Sequence, residues 1–169
     1  MKSIVAVDTE WGIGKNNDLL FSLKGDMRYF REKTSGKIVV MGSNTLKSFP
    51  GGNPLKNRVN IVLYPGGEPR EDCIIVQSLE ELAEELKKYP SDDIFVIGGA
   101  MFYHTMLPYV TDVYVTKVNA NGGAQVFFDN LDEHPAFTMV EEGEEQEENG
   151  ITYRFTRYHN GEVKPFLCK

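Results

Sequence analysis

Two cysteines in 169 residues, Cys73 and Cys168, are too few and too far apart for a disulfide scaffold or a thiolate metal site. They read as free thiols of a reducing compartment. Histidine is nearly as scarce. His104, His134 and His159 have no partner at i+4 and no nearby cysteine, so no metal centre is expected. Positive charge is also short: 18 Lys and Arg against 25 Asp and Glu leave a formal charge of −7. With no basic cluster either, a nucleic-acid partner is not expected. No stretch approaches the roughly 20 apolar residues that span a bilayer. The opening Met1-Lys-Ser-Ile-Val-Ala-Val-Asp8 carries no run long enough for a secretory leader. No membrane partner and a cytoplasmic location are therefore expected. No repeat or linker divides the chain. What is left is 41% hydrophobic and 25% charged residues, an ordinary globular composition for one domain.

Short apolar runs rich in β-branched residues recur at Ser3–Val7, Lys37–Met41, Arg58–Leu63, Cys73–Val76 and Asp93–Ile97, and each reads as a buried strand. Between them, a helix surrounds Asp26 and ends near Gly36. A short helix runs from Thr45 to about Phe49, with Ser43 or Asn44 as its cap. Ser78 opens another, and Glu81 three residues on completes a capping-box signature. Ala100 to Leu107 reads as a helix stopped by Pro108. Asp112–Val118 is a further strand, and Gln125–Phe128 is expected to pair briefly. Phe137–Val140 and Thr152–Tyr158 form a closing hairpin around Glu141 to Glu148, an acidic stretch read as solvated loop. Crossovers followed by a hairpin indicate a single-domain α/β fold. Its central sheet is mostly parallel and twisted, with an antiparallel C-terminal hairpin at its edge and helices on both faces.

One residue in the first helix breaks the pattern. At 100° per residue, Leu23, Met27 and Phe30 share a stripe with Asp26, while Arg28, Arg31 and Glu32 lie opposite. Such a carboxylate is either a first-turn acid favoured by the helix dipole or a buried functional acid. Ligands of parallel sheets bind beyond the carboxyl ends of the strands. Glycine or small polar residues stand there at Gly12/Gly14, Gly42-Ser-Asn-Thr45 and Gly98-Gly99. A strand passing through glycine into a helix start offers backbone N–H groups that suit phosphate, though each corner alone reads equally as a tight turn. None spells Gly-x-Gly-x-x-Gly. Thr9–Asp18 is long for a loop in a small domain, which favours a functional role. Thr116 places a hydroxyl in an apolar strand, and Arg58 could fork onto a ligand carboxylate. Plain strand propensity and a surface cation are the alternatives.

Together these pieces resemble bacterial dihydrofolate reductase over residues 1–160. The resemblance rests on Ile4-Val-Ala6, Gly12-Ile-Gly-Lys-Asn-Asn17, Leu23-x-x-Asp26-Met27-x-x-Phe30 and Val40-Met-Gly-Ser-Asn-Thr45. It continues through Arg58-x-Asn60, Val96-Ile-Gly-Gly-Ala-x-Phe-Tyr103 and Val113-Tyr-Val-Thr-Lys117. It implies a monomer that reduces dihydrofolate to tetrahydrofolate by hydride transfer from NADPH, feeding one-carbon metabolism. Asp26 would be the catalytic acid, accepting hydrogen bonds from the pterin and itself fixed by Thr116. Ile4, Ala6, Met27, Phe30, Phe49 and Ile97 would wall the pterin with Tyr103 among the substrate contacts, and Arg58 would hold the α-carboxylate of the glutamate tail. For the cofactor the resemblance implies Ala6, Ile97 and the lid residues Ile13, Gly14, Asn17 and Leu19. It adds Gly42, Ser43, Asn44, Thr45, Leu63 and Tyr64 at the adenosine half. Ala100, Met101, Phe102 and Tyr103 follow a cis peptide between Gly98 and Gly99, and Gly12–Leu19 would be a lid over the nicotinamide.

The chain departs from the family pattern at several positions. Phe21 and Leu20 stand where Trp and Pro are usual, which removes a polar tip that holds water. Ser43 and Met101 stand where arginines for a 2′-phosphate are common. That narrows the expected preference for NADPH and leaves Lys47, Arg70 or the Ser43 hydroxyl as substitutes. Gln125 replaces an aspartate that latches the lid. Residues 161–169 form a tail without a reading. Two other functions are carried forward. One is a related-fold reductase of a ribosylated pyrimidine in riboflavin synthesis, which shares the glycine corners but not the helix acid. The other is a non-catalytic folate- or nucleotide-binding protein.

Overall fold

The computed structural model describes residues 1–166, so Cys168 lies outside the described residues. In chain order, β1 (Lys2–Val7) precedes a hairpin of β2 (Gly12–Lys15) and β3 (Asp18–Leu19), then α1 (Lys24–Thr34), β4 (Ile38–Gly42) and α2 (Ser43–Ser48). Next come β5 (Val59–Leu63), β6 (Ile74–Val76), α3 (Leu79–Leu86), β7 (Ile94–Val96), α4 (Ala100–Met106) and β8 (Asp112–Val118). The chain continues with β9 (Val126–Phe127), β10 (Phe137–Glu142), β11 (Gln146–Glu148) and β12 (Ile151–Asn160).

The main sheet has the order β10-β12-β8-β1-β7-β4-β5-β6, with β11 added to β12. From β8 to β6 every neighbour is parallel, and β12 turns antiparallel against β8. Period-two alternation sorts the strand residues onto two faces. Val40, Ile61, Val96 and Val115 pack with Leu82 and Leu86 of α3 and with Phe102 and Met106 of α4. Ile4, Val39, Met41, Val62, Phe95 and Ile97 take the other face, with Leu46 of α2 and Tyr29 and Phe30 of α1. The mostly parallel sheet with helices on both faces is the architecture that the run of apolar segments implies.

Several local expectations are corrected. The stretch after β1 is not irregular throughout. Asn16 and Asn17, at φ 53° and 57°, make a left-handed two-residue turn whose twist suits a hairpin, and β9 pairs with β2. Neither Ser43 nor Asn44 caps α2. The strand passes into the helix at once, with Gly42 in the cap position and no side-chain cap. Pro108 does not simply stop α4, because it sits inside a 3-10 turn, Leu107–Tyr109, that extends it. The acidic stretch is partly strand, β11, closed by Asn149 and Gly150 at φ 53° and 82°. Ser78 does cap α3, accepting from the Glu81 N–H at 3.2 Å. After β12 the chain folds back, with Lys164 donating its N–H to the Pro108 carbonyl at 2.9 Å and Phe166 lying 5.0 Å from the Tyr109 ring. No helix among the described residues is long and apolar enough to cross a membrane.

Where β1 ends, the buried Asp8 acts as a knot. Its Oδ1 accepts from the backbone N–H groups of Glu10 at 2.9 Å and Gly12 at 2.7 Å, and its Oδ2 from Gly122 at 3.1 Å. One carboxylate thus ties the base of the β2–β3 hairpin to the loop after β8. Asp8→Ala strands these donors, and we expect it to lower the unfolding free energy by about 2–4 kcal/mol. The check is a lower urea midpoint at unchanged m-value.

Candidate functional site

Asp26 lies in the first turn of α1. The helix packs on the face of the sheet that carries Ile4, and on that face Thr116 of β8 donates its hydroxyl to Asp26 Oδ1 at 2.6 Å. Thr116 is buried and in register with Ala6, as Tyr114 is with Ile4, so β1 and β8 present both pairs toward α1. Burial pushes the Asp26 carboxyl above the usual carboxylate range, and the Thr116 hydrogen bond opposes that rise. Asp26 is therefore a desolvated acid rather than a dipole-favoured surface one.

β1 and β7 part beside it, and that split is where the ligand crevice of a parallel sheet is expected. Their register holds only at Lys2↔Phe95 and Ser3↔Val96. Just beyond, the buried Tyr103 hydroxyl donates to the Ile4 carbonyl at 2.6 Å. The Gly98–Gly99 peptide is cis, and Gly98 has φ 134°, a value side chains other than glycine rarely adopt. A Cβ at Gly98 would meet the Thr45 hydroxyl at 3.1 Å. The Gly42 N–H donates to the Gly98 carbonyl at 2.9 Å. Since β4 and β7 are neighbours, the two glycine corners form one. There α2 and α4 begin side by side from Gly42 and Gly99, neither with a side-chain cap. Two helix starts with backbone donors uncapped suit the phosphates of a dinucleotide, which is the fit a nicotinamide cofactor needs. The hairpin before α1 leans on this corner, since Asn17 Nδ2 donates to the Asn44 carbonyl at 3.4 Å. Gln125 holds the same hairpin: its side-chain oxygen accepts from the Asn16 N–H at 2.9 Å and its own N–H donates to the Gly14 carbonyl at 2.8 Å.

The residues singled out in the sequence do not all gather. Ile4, Phe30, Phe49 and Ile97 join one apolar cluster with Met41, Leu46 and Tyr64. Met27 stays out of it at 50% exposed, and Leu23 packs elsewhere with Val118 and Tyr153, so the helix stripe is narrower than its periodicity indicates. Ala6 and Ile13 are half-buried, whereas Leu19 and Met101 are 70% and 85% exposed. Phe102 and Tyr103 belong to the core of the opposite face, which leaves mainly their backbone to the crevice. Arg58 lies against Phe30, its guanidinium carbon 5.8 Å from the ring centroid, and its Nε is buried without a partner. Burial, then repulsion from Arg31, lowers its pKa from the usual guanidinium value. Lys47 Nζ sits 4.8 Å over the Tyr64 ring. Arg70 is spent on Asp72 and on the Gly52 carbonyl. Among the described residues, no group of three or more His, Cys, Asp or Glu is placed to hold a metal.

Sequence reasoning misses Glu148, which caps α1 by accepting from the Lys24 and Gly25 N–H groups. The Asn149-Gly150 pair is a hairpin signal that would have located its strand. Nothing local announces the cap itself.

The family model for dihydrofolate reductase matches residues 1–160. The dihydrofolate reductase of Bacillus subtilis (strain 168) is 34% identical over 157 residues, covering 92% of this chain and 91% of the relative. That of Staphylococcus haemolyticus is 32% identical over 158 residues, covering 92% of each. That of Mus musculus is 33% identical over 184 residues, covering 94% and 96%.

The raised Asp26 carboxyl has a signature in stability. Between the ordinary carboxylate value and the raised one, the folded chain binds more protons than the unfolded chain, so stability falls as pH rises through that window. Asp26→Asn removes the charge that burial penalises. Its urea midpoint should exceed the parent's at pH 7, and the gain should vanish below the ordinary carboxylate range. A gain constant with pH would show that burial does not act on this carboxyl.

Proposed function

The chain belongs to the dihydrofolate reductase family, and on that premise we propose that Asp26 is its catalytic acid, with Arg58 and the joined glycine corner holding the far ends of the two ligands. The activity is reduction of 7,8-dihydrofolate to 5,6,7,8-tetrahydrofolate. NADPH supplies the hydride when bound. The observation that carries the site assignment is the desolvated Asp26–Thr116 pair beside the crevice.

With Oδ1 held by Thr116, the carboxylate keeps a fixed plane and can accept from the pterin ring N–H and the 2-amino group together. That paired contact orients the ring and favours a proton on the nitrogen next to the carbon being reduced. Solvent supplies the proton. Leu20 and Phe21, which pack against Gly122, give this approach an apolar border without a donor of its own. Ile4, Phe30, Phe49 and Ile97 keep bulk water from the reacting ring. Arg58, with its Nε–H unpaired and buried, takes the α-carboxylate of the glutamate tail. Gly42–Thr45, Leu63, Tyr64 and Gly98–Met101 take the cofactor, and the Gly12–Leu19 hairpin closes over its reactive end. Residues 1–160 are the working domain, acting as a cytoplasmic monomer on small molecules alone.

Purified protein should oxidise NADPH only when dihydrofolate is present. Asp26→Asn should cut turnover at neutral pH by about 10²–10³-fold, recovering partly in acid as the substrate arrives already protonated. An equal loss at every pH would leave Asp26 a structural residue. Cofactor choice gives a second test. Ser43 and Met101 offer no cation and Arg70 is committed to Asp72, so Lys47 is left beside Tyr64. The kcat/KM ratio of NADPH over NADH should stay within about 30-fold, the weight of at most two exposed charge pairs. A much larger ratio would mean that another group reads the 2′-phosphate.

A further inference from the structure

The hairpin of β11 and β12 holds the turn of α1 that carries Asp26. That helix has no side-chain cap of its own, because Leu23 occupies the cap position. Its opening donors are met from the other end of the chain. Glu148 Oε2 accepts from the Lys24 N–H at 2.8 Å, and Oε1 from the Gly25 N–H at 3.1 Å. Both bonds are charge-assisted, and the carboxylate also meets the positive end of the helix dipole.

The position of Glu148 is set by its strand. It pairs with Ile151 across the Asn149–Gly150 turn, and β12 then runs on beside α1. Tyr153 is buried with Leu23 and Val118, and a methyl at Gly25 would overlap its hydroxyl. One turn along α1, the Tyr29 ring stacks on Phe155 with centroids 4.0 Å apart and planes 10° from parallel. Phe155 is in register with Thr116, the residue that bonds Asp26. The acid is thereby held twice by one sheet, through its side chain at Thr116 and through its backbone turn at Glu148.

We propose that Glu148 is a positioning residue for Asp26: by capping α1 from the hairpin it fixes the turn that aims the carboxylate at the pterin. The proposal rests on Asp26 being the catalytic acid. Physically, a first turn whose N–H groups lose their acceptor frays, and Gly25 within it resists fraying poorly. Asp26 directly follows these two residues. A carboxylate displaced by about 1 Å can lose up to about 10²-fold in rate without any change in its chemistry. The cofactor corner at Gly42 and Gly98 is built on other elements and should not feel the loss.

The test compares Glu148→Ala, Glu148→Gln, Lys24→Pro, Glu148→Ala/Lys24→Pro and Asp26→Asn by steady-state kinetics well below the unfolding temperature. Proline fits the first helical position and lacks the N–H, so Lys24→Pro deletes one partner of Glu148 without breaking α1. We expect Glu148→Ala to lower kcat/KM for dihydrofolate about 10-fold, through both kcat and KM, with KM for NADPH unchanged. Glu148→Gln, which keeps one acceptor oxygen, should regain part of it. The loss caused by Glu148→Ala should shrink in the Lys24→Pro background. A Glu148→Ala variant that melts earlier but keeps kcat and both KM values overturns the proposal. So does a loss that is equal in both backgrounds, or one that raises KM for NADPH as much as KM for dihydrofolate. If Asp26→Asn turns over like the parent, the assignment of Asp26 itself has failed. If Asp26→Asn collapses while Glu148→Ala does not, only the role of Glu148 has.

Discussion

The hydrogen bond from Thr116 to Asp26 is the constraint that fixes the helix acid against the sheet. A carboxylate set against an apolar sheet is expensive to keep ionised, and without a donor it would take up a proton or turn away. Thr116 satisfies one oxygen and nothing more. That incomplete compensation leaves the pKa raised, and the second oxygen is not engaged by Thr116. Burial and partial pairing together produce an acid suited to a flat ligand with adjacent N–H groups. The strand that supplies Thr116 also carries Tyr114, beside Ile4, so the same register shapes the apolar floor.

The crevice follows from a topological event rather than from any one motif. β1 separates from β7 after Ser3↔Val96, and Tyr103 bridges the split with a single hydroxyl. On the other side of β7, pairing with β4 brings Gly98 against Gly42. Each corner alone is an ordinary way to leave a strand. Joined, they place two helix starts on one spot, and the combination suits a dinucleotide's phosphates where each alone does not.

How much of this is legible in the sequence depends on the range of the interaction. The strands are legible because β-branched runs such as Ile38–Met41 can be buried on both faces only inside a parallel sheet. Asp26 is legible as an exception to a helical period. The same period misplaces Met27 and Leu23, because it says which residues share a side of the helix and not how wide the neighbouring surface is. Asn16-Asn17 and Asn149-Gly150 carry turn chemistry that marks two hairpins. In the first, hydrogen bonding from Gln125 in a distant loop helps hold what reads locally as a loop. Contacts that span most of the chain, Asp8 to Gly122 or Glu148 to Lys24, leave no trace in any local window.

The departures from the family pattern need not be losses, and their contacts distinguish replacement from removal. Gln125 replaces a charge with an amide, yet its oxygen still accepts from the Asn16 backbone, so the geometric task of latching the hairpin is met. Leu20 and Phe21 have no such substitute: both are apolar side chains close against Gly122, and neither carries a polar tip. Ser43 and Met101 fall between these cases, because Lys47, one helical turn on from Ser43, offers a cation held over an aromatic ring. A backbone task tolerates a change of side chain so long as an acceptor remains. A task that depends on charge or on a polar tip does not. On the proposed reading, the pterin side therefore keeps its acid and its apolar walls, while the proton route and the cofactor's phosphate fall at positions where this chain has changed.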